Sequence, residues 1–300
     1  KKKIEKKIIY YKNKGYNACL AAVNQAIADI QSKRKKIPIC QILNPNLKFK
    51  SIRLYASGGM IYDHQDNKIY YNEARKSLKN GYIGYKFRPP YPKSFSNHTS
   101  RLKNPPTFDV DRFFKIAKKL RSILPKQFKL MVDFGFRIKT YKDFLKIYNF
   151  LNDLNYYFIE EPISHKLIKK DFEAKKLKLS GGESFFLKNQ FKDKKFNKFY
   201  KIIQPDMNFI YYNILKKIIK IKSTNIILHN WFNAISNNHS FNCALAYQCK
   251  MIERNIYMSK IDSQIINTKS NLNIKKGHFL ILKENNDLKI NVKNLKKLKI

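Results

Sequence analysis

The sequence predicts an α/β fold, a parallel barrel in which strands alternate with helices, and two observations carry that expectation. Asp133, Glu160, Glu183, Asp206, His229 and Glu253 recur at intervals of 27, 23, 23, 23 and 24 residues, the length of one strand plus one helix. Each stands at or near the end of a short apolar run, and polar stretches of helical character separate the runs. In a barrel the C-terminal ends of all strands open on one face, so ionisable groups stationed there converge.

The elements follow in order. Residues 15–34 place Ala18, Ala21, Ala22, Ala26, Ile27 and Ile30 along one face of a helix, with Lys and Arg near its end. A strand, SIRLYAS at 51–57, leads through Gly58 and Gly59 to a helix around 66–79 that ends near Gly81. YIGYKFR at 82–88 forms the second strand, stopped by Pro89 and Pro90, and strand alternation puts Lys86 and Arg88 on the same face. The Pro-, Ser- and Asn-rich stretch 89–107 has the character of an active-site loop.

Six further strands are FKLMVD (128–133), YYFIE (156–160), KLKLSGGE (176–183), KIIQPD (201–206), NIILH (225–229) and KMIE (250–253). Helices are expected at 109–124, 141–154, 167–176, 186–196, 209–220 and 234–247. Beyond residue 256 the period is lost. Weak alternating segments at 278–282 and 288–292 suggest a tail that folds back on another part of the protein.

Composition bounds the function classes. Three hundred residues, 43% of them hydrophobic, suffice for one large core. The formal charge of +41 would by itself suggest a polyanion partner. The lysines, however, are spread over nearly every helix and loop alongside abundant Ile and Asn, as AT-rich codon usage would produce. No zinc-finger spacing or RNA-binding aromatic signature accompanies them, so nucleic acid is not the expected partner. Cys19, Cys40, Cys243 and Cys249 form no CxxC pair and read as reduced thiols of a cytoplasmic protein. No run approaches the ~20 apolar residues of a membrane span, and residues 1–14 lack the apolar core of a secretory signal. The first residue is Lys rather than Met, as expected for the interior of a longer product.

Strand parity sharpens the chemistry. Met131 with Asp133, Phe158 with Glu160, Ile202 and Gln204 with Asp206, and Ile227 with His229 share faces, so each apolar partner fills the interior beneath its polar one. Asp133, Glu160 and Glu183 on three consecutive strands would bring three carboxylates near one point, where repulsion is relieved by a cation. All-oxygen ligation points to Mg²⁺, with Mn²⁺ as a substitute, rather than zinc. Asp206 and His229 lie on the next two strands, and a carboxylate bonded to an imidazole sets its tautomer and raises its basicity. Glu253 is placed to stabilise a developing oxyanion.

In this order the residues resemble the enolase superfamily, and within it the mandelate racemase and muconate lactonizing enzyme branch. AAVNQAIADIQSKRKKIPICQIL (21–43) is similar to that family's alanine-rich helix. YKFR resembles its second-strand Lys-x-Lys motif, MVDFGFR its third-strand Asp, FIEEP its fourth-strand Glu, GGES its fifth-strand Glu, QPD its sixth-strand Asp and LHNW its seventh-strand His. The resemblance implies a (β/α)7β barrel at 48–255, with remnants of an α+β capping domain. Residues 1–47 would be the end of that domain and a lead-in helix, and 256–300 would return to it. The chain starts too late for the domain's N-terminal strands.

The resemblance also implies a reaction: removal of a proton α to a carboxylate, with an enediolate intermediate and Mg²⁺ as Lewis acid. Asp133, Glu160 and Glu183 would be the metal ligands, with Glu161 behind them. His229 supported by Asp206 would be the base, or the acid that protonates a leaving hydroxyl. Lys86 would neutralise the substrate carboxylate, and Glu253 would donate to it. Two positions depart from the pattern. Arg88 stands where the family has a catalytic Lys, and a guanidinium with a pKa above about 12 is a poor base. Gly135 stands where the family often has Asn.

The leading expectation is therefore Mg²⁺-dependent dehydration of a sugar acid, a small-molecule carboxylate, to a 2-keto-3-deoxy acid. A racemase or epimerase of an α-hydroxy or amino-acid derivative is the alternative, and it would exchange the α-proton without losing water. Cycloisomerisation of a dicarboxylate is a more distant enzyme reading. From another class comes an inactive barrel whose basic surface binds polyanions, recognisable by binding that falls steeply with salt and survives His229→Ala. The family's habit of assembly leaves a homo-oligomer open.

Overall fold

The structure is a computed structural model that describes residues 2–48, 51–59, 66–91, 108–221, 225–231, 234–257 and 274–280. Its first half contains α1 (Lys2–Lys35), α2 (Ile39–Leu43), β1 (Ser51–Gly58), α3 (Lys68–Lys79), β2 (Gly84–Phe87), α4 (Val110–Ile123), β3 (Lys129–Asp133) and α5 (Tyr141–Asp153). Then follow β4 (Phe158–Glu160), β5 (Lys178–Gly181), α6 (Lys194–Phe199), β6 (Tyr200–Ile203), α7 (Tyr212–Ile221), α8 (Ala234–Ala246), β7 (Ile252–Asn255), β8 (Ile274–Lys275) and β9 (His278–Leu280). The chain divides into two compact units, one of Leu54–Gly181 with Lys194–Ile202, the other of Lys1–Arg53, Gly182–Asp193 and Ile203–Ile300.

In the first unit the strands lie side by side in chain order from β1 to β6. Neighbours from β1 to β5 run parallel, with Ala56 opposite Tyr85, Lys86 opposite Met131, Asp133 opposite Glu160 and Glu160 opposite Ser180. An order that follows the chain without reversal is that of singly wound βα units; a doubly wound sheet reverses at its switch point. Apolar spacing explains the helices. Phe113, Ile116, Ala117 and Leu120 form the buried face of α4, and Phe144, Ile147, Tyr148 and Leu151 that of α5. Each begins with a side-chain cap, as Asp109 accepts from the Arg112 N–H and Thr140 from the Asp143 N–H.

Gly84 at the start of β2 is required by close approach, since a Cβ there would lie 2.4 Å from the Lys129 carbonyl oxygen. Gly84→Ala is expected to destabilise the protein by about 1–3 kcal/mol, seen as a lower urea midpoint with an unchanged slope.

The second unit holds the chain ends. The first residues of β1 pair antiparallel with β9, Ser51 opposite Leu280 and Arg53 opposite His278, and β9 closes a hairpin with β8. The sequence segment at 278–282 thus contributes strand at 278–280, while the segment at 288–292 and most of the loop at 89–107 lie outside the described residues. Helix α1 starts at Lys2, well before Gly15, and its buried line is Asn17, Ala21, Ala28 and Ser32. Val23, Ile27 and Ile30 face outward, so the expected apolar face is rotated. Small side chains let α1 approach the turn after β6, where Gln25 donates to the Met207 carbonyl at 2.9 Å and the Lys14 ammonium covers the Phe209 ring.

Three other expectations are corrected. Residues 167–176 form turns rather than a helix, closed by Leu167 N–H to Ser164 O and Phe172 N–H to Lys169 O. Phe172 is anchored there against Phe144 and Tyr148, and that packing overrides helical preference. The helix expected at 186–196 is a 3-10 turn at Gln190–Lys192 followed by α6, because Gln190 Oε1 takes the Phe186 and Leu187 N–H groups. Residues 225–229 make two isolated parallel bridges, Ile203 with Ile226 and Asp206 with His229, rather than a continuous strand.

Candidate active site

Four of the eight candidate residues belong to the first unit. Lys86 and Arg88 leave β2 on the same face, as alternation requires, and meet the last residues of β3 and β4. The Lys86 ammonium donates to Glu160 Oε2 at 2.5 Å, in a pair that is fully buried (side-chain exposure 3% and 0%). Arg88 Nε donates to Asp133 Oδ2 at 2.7 Å and keeps 27% of its side chain exposed. Asp133 Oδ1 takes the Gly135 N–H at 2.9 Å. Gly135 has φ +50°, a left-handed conformation that glycine adopts without strain, and a Cβ there would meet no crowding.

Burial alone would raise the Asp133 carboxyl, but the charges of Arg88 and then Lys86 outweigh it and hold the group at about 2, against an ordinary 3.8. A carboxyl that titrates lower when folded stabilises fully above its unfolded pKa and loses that contribution as pH falls through its folded one. Asp133→Asn is therefore expected to cost on the order of 2 kcal/mol near neutral pH, the deficit vanishing toward about pH 2. Urea midpoints of both proteins across the acid range measure it.

The other four residues belong to the second unit, where three carboxylates surround the His229 imidazole. The parallel bridge between Asp206 and His229 sets them side by side, and His229 Nδ1 donates to Asp206 Oδ2 at 2.8 Å. His229 Nε2 lies 3.0 Å from Glu183 Oε2 and 4.0 Å from Glu253 Oε2. Glu253 is fully buried and accepts the Asn230 N–H at 3.2 Å, while the Asn230 amide donates to the Glu253 carbonyl at 3.0 Å. Burial would lower the His229 pKa, but Glu183 foremost, then the bond to Asp206 and the charge of Glu253, push it well above the ordinary 6.5. In this state both ring nitrogens carry protons, so His229 is an acid; after giving up the Nε2 proton it is a base with its ring orientation already set.

No protein-family model and no curated protein matches the chain. Solved structures do. The 3,6-anhydro-D-galactonate cycloisomerase from Zobellia galactanivorans matches with a TM-score of 0.75 at 17% identity, over 98% of this chain and 82% of that one. A member of the enolase superfamily from Salmonella Typhimurium matches at 0.77 and 16% identity, over 94% and 76%. The chain has the fold of enolase-superfamily barrels. A protein provisionally called a dehydratase, from Salmonella enterica serovar Typhimurium, shares that fold at 0.74 and 16% identity, over 90% and 72%.

Sequence reasoning missed three residues of the His229 surroundings. Asn208 donates to Asp206 Oδ1 through both its backbone N–H and its side chain, each at 2.7 Å. Its spacing of two from Asp206 is the local pattern of an Asx turn and could have identified it. Asn230, next to His229, was equally within reach. Ser236, bonded to Asn208 at 2.6 Å, lies 28 residues further on and carried no local signal.

Proposed function

We propose that the protein is a metal-dependent dehydratase of a sugar acid, and that its substrate is a 2,3-dihydroxy carboxylate. The observation that carries this reading is the His229 imidazole set against Asp206, in a chain where Arg88 replaces the lysine that a second base would require. One base suits elimination better than racemisation, which needs proton transfer on both faces of the α-carbon. Once its own Nε2 proton has left, His229 takes the C2 proton through Nε2, and the electron pair moves toward the carboxylate. The pair then returns to form C2=C3 as the C3–O bond breaks, the departing hydroxyl takes the proton back from His229 as water, and the enol relaxes to the 2-keto acid. Asp206 holds the imidazolium, Lys86 and Arg88 offset the substrate carboxylate, and Glu253 hydrogen-bonds to the developing oxyanion.

Among the described residues no group of three or more His, Cys, Asp or Glu is gathered as a metal site. The donor chemistry nevertheless fits Mg²⁺, with Mn²⁺ as substitute. Asp133 and Glu160 are opposite each other in register on neighbouring strands, both buried and both hard oxygen donors. On the sequence pattern we assign Asp133, Glu160 and Glu183 as the ion's ligands. Bound there, the ion would supply Lewis-acid polarisation of the substrate carboxylate. Asp133 is engaged by Arg88 and Glu160 by Lys86, so a bound ion would compete with both cations for these carboxylates.

Chelator-treated protein should give no 2-keto acid from a panel of hexonates and hexarates, and Mg²⁺ or Mn²⁺ should restore it, but not in Glu183→Gln. Turnover that ignores chelation, or change of α-configuration without loss of water, would replace this reading with another.

A further inference from the structure

Helix α8 is buried at every position but Ile235, yet it carries Ser236, Asn237, Asn238, His239, Ser240 and Asn242. Among the described residues the side chains of Asn237 and Ser240 meet no hydrogen-bond partner, whereas those of Ser236, Asn238, His239 and Asn242 do. Asn242 accepts the Cys40 N–H at 3.1 Å and donates to the Asn238 carbonyl at 2.8 Å, which ties α8 to α2. His239 meets the Tyr212 hydroxyl at 3.2 Å. Ser236 reaches elsewhere. Its hydroxyl donates to Asn208 Oδ1 at 2.6 Å, Asn208 Nδ2 donates to Asp206 Oδ1 at 2.7 Å, and Asp206 Oδ2 accepts from His229 Nδ1 at 2.8 Å.

We propose that Ser236 and Asn208 are positioning residues that hold the Asp206 carboxylate in the plane that aims it at His229. The proposal rests on reading His229 and Asp206 as the acid–base pair. The argument is one of amide polarity. An Asn side chain has an accepting end and a donating end of nearly the same shape. A hydroxyl donating to Oδ1 selects the orientation in which Nδ2 faces Asp206; the flipped amide would set two oxygens against each other. With its backbone N–H on the same carboxylate oxygen, Asn208 grips Asp206 Oδ1 from two sides and leaves Oδ2 directed at the imidazole. Ser236 is itself buried at 5% exposure, so water does not readily replace its hydroxyl. Outer partners that orient a reacting side chain in this way commonly matter 10- to 100-fold or so in activity at related sites.

The test reads the hydrogen bond itself. In protein labelled with ¹⁵N at histidine, His229→Gln identifies the His229 Nδ1–H signal, which is then followed in Ser236→Ala, Ser236→Thr and Asn208→Leu. The low-field proton should shift or exchange away in Ser236→Ala and Asn208→Leu and be retained in Ser236→Thr, which keeps the hydroxyl. On a turned-over acid, kcat should fall about 10- to 100-fold in the first two variants, with KM nearly unchanged and activity rescued by Thr. An unaltered Nδ1–H signal in both Ser236→Ala and Asn208→Leu overturns the proposal. Should Ser236→Ala fail to give a cooperative melt, Asn208→Leu decides alone. If the natural chain turns over no acid, the proposed reaction fails separately, because the NMR result still decides the positioning role.

Discussion

Replacing His229 with Gln is expected to lower turnover of the acid substrate by about 10²- to 10⁴-fold. Glutamine keeps much of the volume and can still donate to Asp206, but it neither takes the α-proton nor delivers one to the leaving hydroxyl. KM should change little, because the groups offsetting the carboxylate are intact. Steady-state assay of 2-keto acid measures it, and retention of most of the natural activity would remove His229 from the chemistry. The same variant has a stability signature. A histidine whose folded pKa is raised stabilises fully below its unfolded value of 6.5 and loses that contribution as pH rises through the folded value. His229→Gln should therefore melt lowest relative to the natural chain in mild acid, and the two should draw together at alkaline pH.

The largest stability effect is expected at Lys86. Its ammonium pairs with Glu160 Oε2, and both side chains are buried. In chelator-treated protein, Lys86→Met would leave that carboxylate charged and buried, a loss of about 3–5 kcal/mol for a broken internal pair. The double variant Lys86→Met with Glu160→Gln removes both charges and should recover most of the loss, since a buried pair stabilises little over neutral residues of similar volume. Neither variant should turn over substrate. Chemical unfolding of the two singles and the double gives the coupling directly; additive losses would mean that the pair is not the source of the penalty.

These residues were legible in the sequence for a geometric reason. A βα unit has a nearly constant length, so a side chain at the end of each strand recurs at nearly constant interval, and the interval of 23 between Asp206 and His229 became a bridge between adjacent positions. Helices α4, α5 and α7 were visible because apolar periodicity or a cap marked them. What escaped depended on contacts between distant parts of the chain. Nothing local says that Phe172 will be pinned between Phe144 and Tyr148, or that α1 will turn Asn17 and Ala28 inward and Ile27 and Ile30 outward. The bond from Ser236 to Asn208 is of the same kind: each residue is ordinary by itself, and only the fold brings the hydroxyl to the amide. The Arg88–Asp133 pair lies between these cases, since strand parity placed Arg88 on the right face but did not name its partner.

The charge of +41 remains outside the chemistry proposed. No described helix is long and apolar enough to cross a membrane.

One measurement tests the central claim most directly. The chain would be incubated with Mg²⁺ in D₂O against hexonates and hexarates, together with α-hydroxy acids, and the products followed by NMR. The account expects a metal-dependent 2-keto-3-deoxy acid from at least one sugar acid, with formation lost in His229→Gln. Deuterium exchange at the α-carbon with inversion and no loss of water, or no change in any acid by a folded, metal-saturated protein, would contradict it.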